Sequence, residues 1–551
     1  MENNLPSFVS LLQESVKKNW DRDAFTDYKS TTLQYKDVAR KIEKLHILFE
    51  NSGIKPGDKI ALCGRNSAHW AVAFLATITY GAVAVPILHE FKADQVHHIV
   101  NHSESRLLFV GDMVWPTLSE SAMPYVEGII YIPDYSLLVS RNKKLTNARE
   151  TLNLQYGKKY PKFFRPEHVS YVMDEPERLA LINYTSGSTG NSKGVMVPFR
   201  ALASNMQFAF KVIPLKGGEN VISILPMAHM YGMAFEFLYE FLSGVHIFFL
   251  TRLPSPKIIL QAFAEIKPAI IISVPLILEK IVKKQVWPKV NTPAMRLMMK
   301  APVIGEKIKK KVCDQMIQAF GGKFYEAIIG GAAFNQEVEQ FLYDIHFPFT
   351  VGYGTTECAP ILAYEDFKEF KPGSCGKAAL NMELKIDSPD PQNTVGEILA
   401  KGPNVMLGYF KNPDATAQAL DESGWYHTGD LGTLDEAGNL TIRGRSKNML
   451  LGASGQNIYP EEIEDKLNNM PLVVESVVVQ RGEKLVGLVY VDPEDVRSKG
   501  MNAEAMAQQM EANRKALNAE IPAYEQITAI EVRYEEFEKT PKKSIKRFLY
   551  T

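Results

Sequence analysis

Cysteine is scarce: four in 551 residues, Cys63, Cys313, Cys358 and Cys375, with no C-x-x-C pair among them. This spacing excludes a disulfide framework and a zinc ribbon, and it predicts a reduced, cytoplasmic setting. A surplus of either charge is also missing. Lys plus Arg is 62 and Asp plus Glu is 63, a formal net charge of −1, so the chain as a whole has no field for capturing nucleic acid or an anionic membrane. Any anionic ligand must be held by local groups. The most apolar stretch, residues 221–250, is interrupted by His229, Glu236 and Glu240, which predicts buried core and no transmembrane segment. The first twenty residues have no basic region followed by an apolar run, so no signal peptide is expected. Internal repeats and low-complexity tracts are absent too.

What is there fits an ordered globular chain: 46% hydrophobic, 10% aromatic and 23% charged residues, the usual range for a protein that buries a sizeable core. The length allows three or four ordinary domains or one large body with a smaller appendage. Residues 35–51 carry Val38, Ile42, Leu45 and Leu48 at helical spacing, GDKIALCG reads as a strand, and residues 68–79 as a helix. Strand candidates LALINY, NVISILP, AIIISVP and FYEAIIGG continue the alternation up to about residue 433. The expected fold class is therefore α/β layers. Residues 141–162, rich in Asn, Lys and Tyr, read as a surface insertion. After about residue 444 the strand pair VVESVVVQ and KLVGLVYV, a polar helix over 502–517 and the strand ITAIEVRY form a small α+β unit.

Three blocks carry chemistry. YTSGSTGNSKG (184–194) follows the apolar strand LALIN with three glycines, five Ser/Thr hydroxyls and one lysine, groups that can converge on phosphate oxygens. It is not a Walker A loop, because Lys193 is followed by Gly194 and the strand-like VMV. GYGTTE (352–357) follows Gly331 of IGGA by 21 residues; Tyr353 offers a stacking face, and Thr356 with Glu357 a hydroxyl and a carboxylate for phosphate and a hard cation. In GWYHTGD (424–430), Asp430 is either a turn cap or, with Arg445 fifteen residues on, a grip for a ribose diol.

In this order and spacing the blocks resemble the adenylate-forming superfamily: acyl-CoA synthetases, adenylation domains and luciferases. YTSGSTGNSKGV is similar to its phosphate loop, PMAHMYG (226–232) to its acyl-site histidine block, WYHTGDLG to its ribose block, and IRGRSKNMLLGASGQNIYPEEIE to its hinge and thioester block. The match runs over nearly the whole chain, and GQNIYPEEIE looks most like bacterial long-chain fatty-acid–CoA ligases. The resemblance implies a large multi-layer N-terminal body, residues 1–446, and a small mobile lid domain, 447–551. It also implies ATP-dependent activation of a carboxylic acid, a medium- or long-chain fatty acid, to acyl-AMP, then thioester formation with coenzyme A.

Carried over motif by motif, Ser186, Gly187, Ser188, Thr189, Gly190 and Lys193 would embrace the β- and γ-phosphates, and Thr185 and Glu357 would hold Mg²⁺. Thr356 would touch the α-phosphate, Gly331, Ala332 and Tyr353 would line the adenine, and Asp430 and Arg445 would take the ribose. His229 would sit at the acyl carboxylate, Lys447 at the hinge, and Gly455 beside the pantetheine arm. One departure stands out: in EKTPKKSIKR (538–547) the family's adenylation lysine falls on Ser544, and a one-residue shift of the loop would bring Lys543, or less readily Lys546, to the site. That leaves two alternatives open, an acyl-AMP ligase that loads a carrier protein and a weakened ligand-binding paralogue. Peripheral membrane contact, oligomeric state and chain-length preference are likewise open.

Overall fold

The computed structural model describes residues 5–185, 192–251, 255–290, 292–452, 456–482, 484–540 and 544–551. Its largest sheet has eight strands, ordered Gly408–Tyr409, Lys193–Pro198, Leu179–Thr185, Val83–Ile87, Lys59–Cys63, Ser105–Val110, Gly128–Tyr131 and Leu137–Ser140. The inner strands run parallel and their side chains are buried, so they read as continuous apolar runs without alternation. The helix Ala68–Thr79 is buried on every side, which suits its near-absence of polar residues. Its neighbour Tyr35–Ser52 buries only the stripe containing Val38, Ile42, Leu45 and Phe49, and stops at Gly53, whose φ of 82° closes the C-terminal turn.

The surface stretch 141–162 is helical. It forms the helices Lys143–Glu150 and Leu152–Lys159 and buries Leu145 and Ala148. Lys159 and the Tyr160 hydroxyl both reach the Glu43 carboxylate, at 2.7 and 2.9 Å. So few apolar residues in each short helix leave hardly any periodicity to read.

A second, parallel sheet of Ile271–Ser273, Ala327–Ile329 and Phe349–Val351 ends its strands together. Gly330, Gly331 and Gly352 follow those ends, with the Gly330 and Gly352 amides donating to Ser273 O and Ile329 O. Candidate ligand groups therefore lie at the carboxyl edge of parallel strands, where α/β folds collect ligands. Residues 221–250 are core, as expected: the helical run 230–242, with a π turn at Ala234–Leu238, is buried throughout. Among the described residues no helix is long and apolar enough to cross a membrane.

One continuous apolar core extends from Phe8 to Leu440. Beyond it, the strands Glu475–Arg481, Lys484–Tyr490 and Ile527–Arg533 and the helices Pro460–Leu467 and Ala503–Glu520 enclose two small cores of their own, between Ile458 and Phe537. The small unit meets the body mainly through polar groups. Asn335 donates to Asp465 at 3.0 Å and to Asn469 at 2.8 Å, and Lys283 donates to Asn469 at 3.0 Å.

Candidate active site

The segment from Asp430 to Arg445 is a hairpin. The strands Tyr426–Leu434 and Leu440–Arg445 pair antiparallel, and Asp430 faces Arg445 directly across the ladder. The Arg445 Nε lies 2.9 Å from Asp430 Oδ1, while the Tyr353 hydroxyl donates to Oδ2 at 2.6 Å. Asp430 is 5% exposed, whereas Arg445 reaches it from the surface. Burial pushes the Asp430 carboxyl above its ordinary range, against the pull of the Arg445 charge and the Tyr353 bond. A diol donating to it would stabilise the charged form further.

Four residues beyond Tyr353, Glu357 begins a second constellation. The Tyr409 hydroxyl donates to Glu357 Oε1 at 2.9 Å, and the Lys193 ammonium lies 4.8 Å from the centre of the Tyr409 ring. Tyr409 is brought there by antiparallel pairing of Gly408–Tyr409 with Lys193–Pro198. Thr185, the last residue of its strand, is the cross-strand partner of Lys193. Thr356 is buried in the one-turn helix Thr356–Cys358. A hydroxyl, an ammonium and a carboxylate thus flank the two ends of the phosphate-loop motif, and a buried carboxylate with an arginine and a tyrosine lies on the far side of Glu357. Residues 186–190, on which five of the phosphate contacts were expected, lie outside the described residues, as do Gly455 and Lys543.

The block PMAHMYG is held by buried polar side chains from three other places in the chain. Ile224 and Leu225 amides donate to Glu236 Oε2 at 3.0 and 2.8 Å. Asn66 accepts from the Met227 amide at 2.8 Å and donates to Leu225 O at 2.6 Å, and Asn183 donates to Ala228 O at 2.9 Å. An irregular segment this deep would otherwise strand its backbone groups. His229 follows as the N-cap of the next helix, its Nδ1 accepting from the Tyr231 amide at 3.3 Å. Tyr231 runs beneath the glycine turn: its hydroxyl donates to Ile328 O at 3.0 Å, and a Cβ on Gly330 would lie 3.3 Å from its ring. Gly331, at φ 87°, and Ala332 follow, exposed. Lys447 is exposed in the turn after Arg445, between the large core and the small ones.

At the C-terminal end, Thr540 N donates to Ser544 O at 2.8 Å and Lys546 N to Glu538 O at 2.9 Å. Ser544 is exposed. Lys546 pairs with Glu538, Lys539 with Glu475 at 2.8 Å, and Arg547 Nη1 with the buried Glu464 at 2.8 Å.

Residues 12–410 match the family model of the AMP-binding enzymes, and 447–550 match that of the AMP-binding enzyme C-terminal domain. The chain belongs to the AMP-binding enzyme family. Among its relatives, a long-chain-fatty-acid–CoA ligase, FadD15, of Mycobacterium bovis is 28% identical over 490 residues, covering 84% of this chain and 78% of that one. A long-chain-fatty-acid–CoA ligase of Escherichia coli is 26% identical over 505 residues, 86% and 82% of the two chains. The fold is that of an anthranilate–CoA ligase crystallised with anthranoyl-AMP, at TM-score 0.78, 19% identity and coverage of 99% and 96%.

In this AMP-binding enzyme the motifs revealed Lys193, Tyr353, Glu357, Asp430 and Arg445, which the fold gathers into two adjoining sets. Tyr409, Tyr231, Asn66, Asn183 and Glu236 were missed. Two carried a signal: an asparagine inside the apolar strand LALINY and a glutamate inside a buried helix are polar groups that must find partners. Tyr409 carried none, since its partners are 52 and 216 residues away.

Proposed function

We propose that the protein is an AMP-forming acyl-CoA ligase acting on a medium- or long-chain fatty acid. The carrying observation is that the two sets share one loop: Tyr353, bonded to Asp430 beside Arg445, stands four residues before Glu357, bonded to Tyr409 beside Lys193. The names of the relatives support the fatty-acid part. A carboxylate oxygen attacks the α-phosphorus and pyrophosphate leaves; the coenzyme A sulfur then attacks the acyl carbon and AMP leaves. Both steps bring anions together, so positioning and charge neutralisation carry the catalysis.

Asp430 and Arg445 grip the ribose hydroxyls, Tyr353 with Gly331 and Ala332 borders the adenine, and Lys193 reaches the outer phosphates. His229 faces the acyl carboxylate from a loop that Asn66, Asn183 and Glu236 fix in place. Among the described residues no three His, Cys, Asp or Glu side chains gather into a metal site of the protein's own. One carboxylate beside one hydroxyl is the protein share of a Mg²⁺ site whose remaining ligands are phosphate oxygens and water. Glu357 and Thr185 fit that donor set, and the ion they would hold neutralises phosphate charge. Lys447 serves as the pivot at which residues 447–551 turn between the two steps, which the break between the large and small cores supports.

The test is coenzyme A-dependent AMP release measured across carboxylic acids from short to long chain. Turnover is expected to rise into the medium and long chains, and its absence with every acid would refute the proposal. Acyl-AMP that persists with coenzyme A yet passes to a holo carrier protein would move the assignment to a carrier-loading ligase.

A further inference from the structure

The near-zero net charge conceals a strong local imbalance. Residues 280–311 contain nine lysines and one arginine against a single glutamate, +9 in 32 residues, which leaves −10 for the rest of the chain. In the fold this stretch ends in a corner between the helices Pro293–Lys300 and Ile304–Ala319. Four large apolar side chains stand out from that corner: Leu297 is 74% exposed, Val303 69%, Ile304 56% and Met298 47%. Val303 also has φ 65°, a positive value that a β-branched residue strongly disfavours. Strain and exposed apolar surface at one tip point to a role outside the folded core.

The lysines share this surface. Ile304, Lys307 and Lys311 recur at i, i+3 and i+7 on one face of their helix. Lys307, Lys310 and Lys311 border one shallow depression, and Lys300 ends the preceding helix. All four of these lysines are exposed, while Lys309 is engaged by Glu306 at 2.8 Å. The opposite face of the helix buries Val312, Cys313 and Met316.

From this arrangement we infer that the 297–311 corner is a docking surface for an anionic phospholipid bilayer, its apolar tip entering the acyl boundary and its lysines resting on the phosphates. Nucleic acid would match the charge but not an exposed Leu, Met, Val and Ile. A lipid surface takes both, with chains of this kind lying in the plane of the interface. Six residues before the stretch 280–311, Val274 borders the candidate site: its Cγ1 is 3.7 Å from where a Cβ on Gly331 would lie. The binding itself does not depend on the substrate reading.

The experiment is co-sedimentation of the full-length protein with vesicles of phosphatidylcholine, alone or with about one third phosphatidylglycerol. Binding should be at least about 10-fold stronger to the anionic vesicles and fall with added salt. Two triple variants, Leu297→Ser with Val303→Ser and Ile304→Ser, and Lys300→Glu with Lys307→Glu and Lys311→Glu, should each lose about 10-fold or more. Unchanged circular dichroism and melting would separate that loss from misfolding. Equal binding to both vesicles, no binding, or full binding by either variant overturns the inference. So does capture of an acidic holo carrier protein that the variants abolish while vesicle binding persists.

Discussion

On the body, the buried carboxylate Asp430 is fixed from two sides by Tyr353 and Arg445, and the loop before His229 is clamped by Asn66, Asn183 and Glu236. In the C-terminal unit the cations near the adenylation motif are differently disposed: Lys539, Lys546 and Arg547 each rest on a carboxylate of the same unit. On the proposed mechanism the body holds its groups ready, whereas the C-terminal unit must bring one in. A preorganised site delivers its electrostatics without rearrangement at the moment of reaction. A site completed by a moving part can be dismantled between two chemical steps, as a two-step ligase requires.

Lys543 gives the sharpest way to break the comparison. If the arriving cation is Lys543, Lys543→Ala should slow acyl-AMP formation by about 10²–10³-fold, while transfer from preformed acyl-AMP to coenzyme A proceeds at the parent rate. Lys546→Ala should leave both steps near the parent values, since that ammonium is already paired with Glu538. Pyrophosphate exchange and single-turnover thioester formation measure the two steps separately. An unimpaired Lys543→Ala protein would remove this lysine from the mechanism.

A smaller loss is expected on the body. Asp430→Ala removes hydrogen bonds to a charged acceptor, of about 1.5–3 kcal/mol each, so kcat/KM for ATP should fall about 10–10²-fold. Tyr353→Phe, which frees one carboxylate oxygen without removing the charge, should fall about 10-fold or less. Parent-like kcat/KM for ATP in Asp430→Ala would contradict the ribose assignment.

The contrast between the two regions also governs what could be read from the residues alone. Motif residues close together in sequence were legible: the strand before Lys193 and the helices read over 35–51 and 68–79 follow from local pattern, and Asp430 with Arg445 was one of two readings of its block. The C-terminal strands and polar helix were legible for the same reason. Contacts made by folding were not. Nothing in LGYF marks Tyr409 as the link between Lys193 and Glu357, because that link exists only once two residues 214 apart, Val195 and Tyr409, pair across the strands. The basic corner was hidden differently, since averaging charge over the whole chain cancels +9 against −10.

The smallest expected effect concerns the seam between the regions. Asp465 on the small unit faces Asn335, Gln336 and Lys283, with Glu337, Glu279 and Glu339 nearby on the body. Burial pushes the Asp465 carboxyl up to about 6, opposed by the Gln336 amide and the Lys283 charge. Burial likewise pushes Glu339 up to about 7, with Asp465 adding to the rise. Both docked values lie above the ordinary carboxyl range near 4, so the docked seam binds more protons than the separated one. Docking is then fully favoured below about pH 4 and weakens as the pH rises through about 6 to 7, where both carboxyls become charged. Proteolysis at the joint around residues 446–449 should therefore quicken between about pH 5 and pH 7.5. Asp465→Asn keeps an acceptor for Asn335 but cannot ionise, so its cleavage rate should vary much less over the same range. A variant with the parent's full pH dependence would place the titrating group elsewhere and leave the seam held by neutral hydrogen bonds alone.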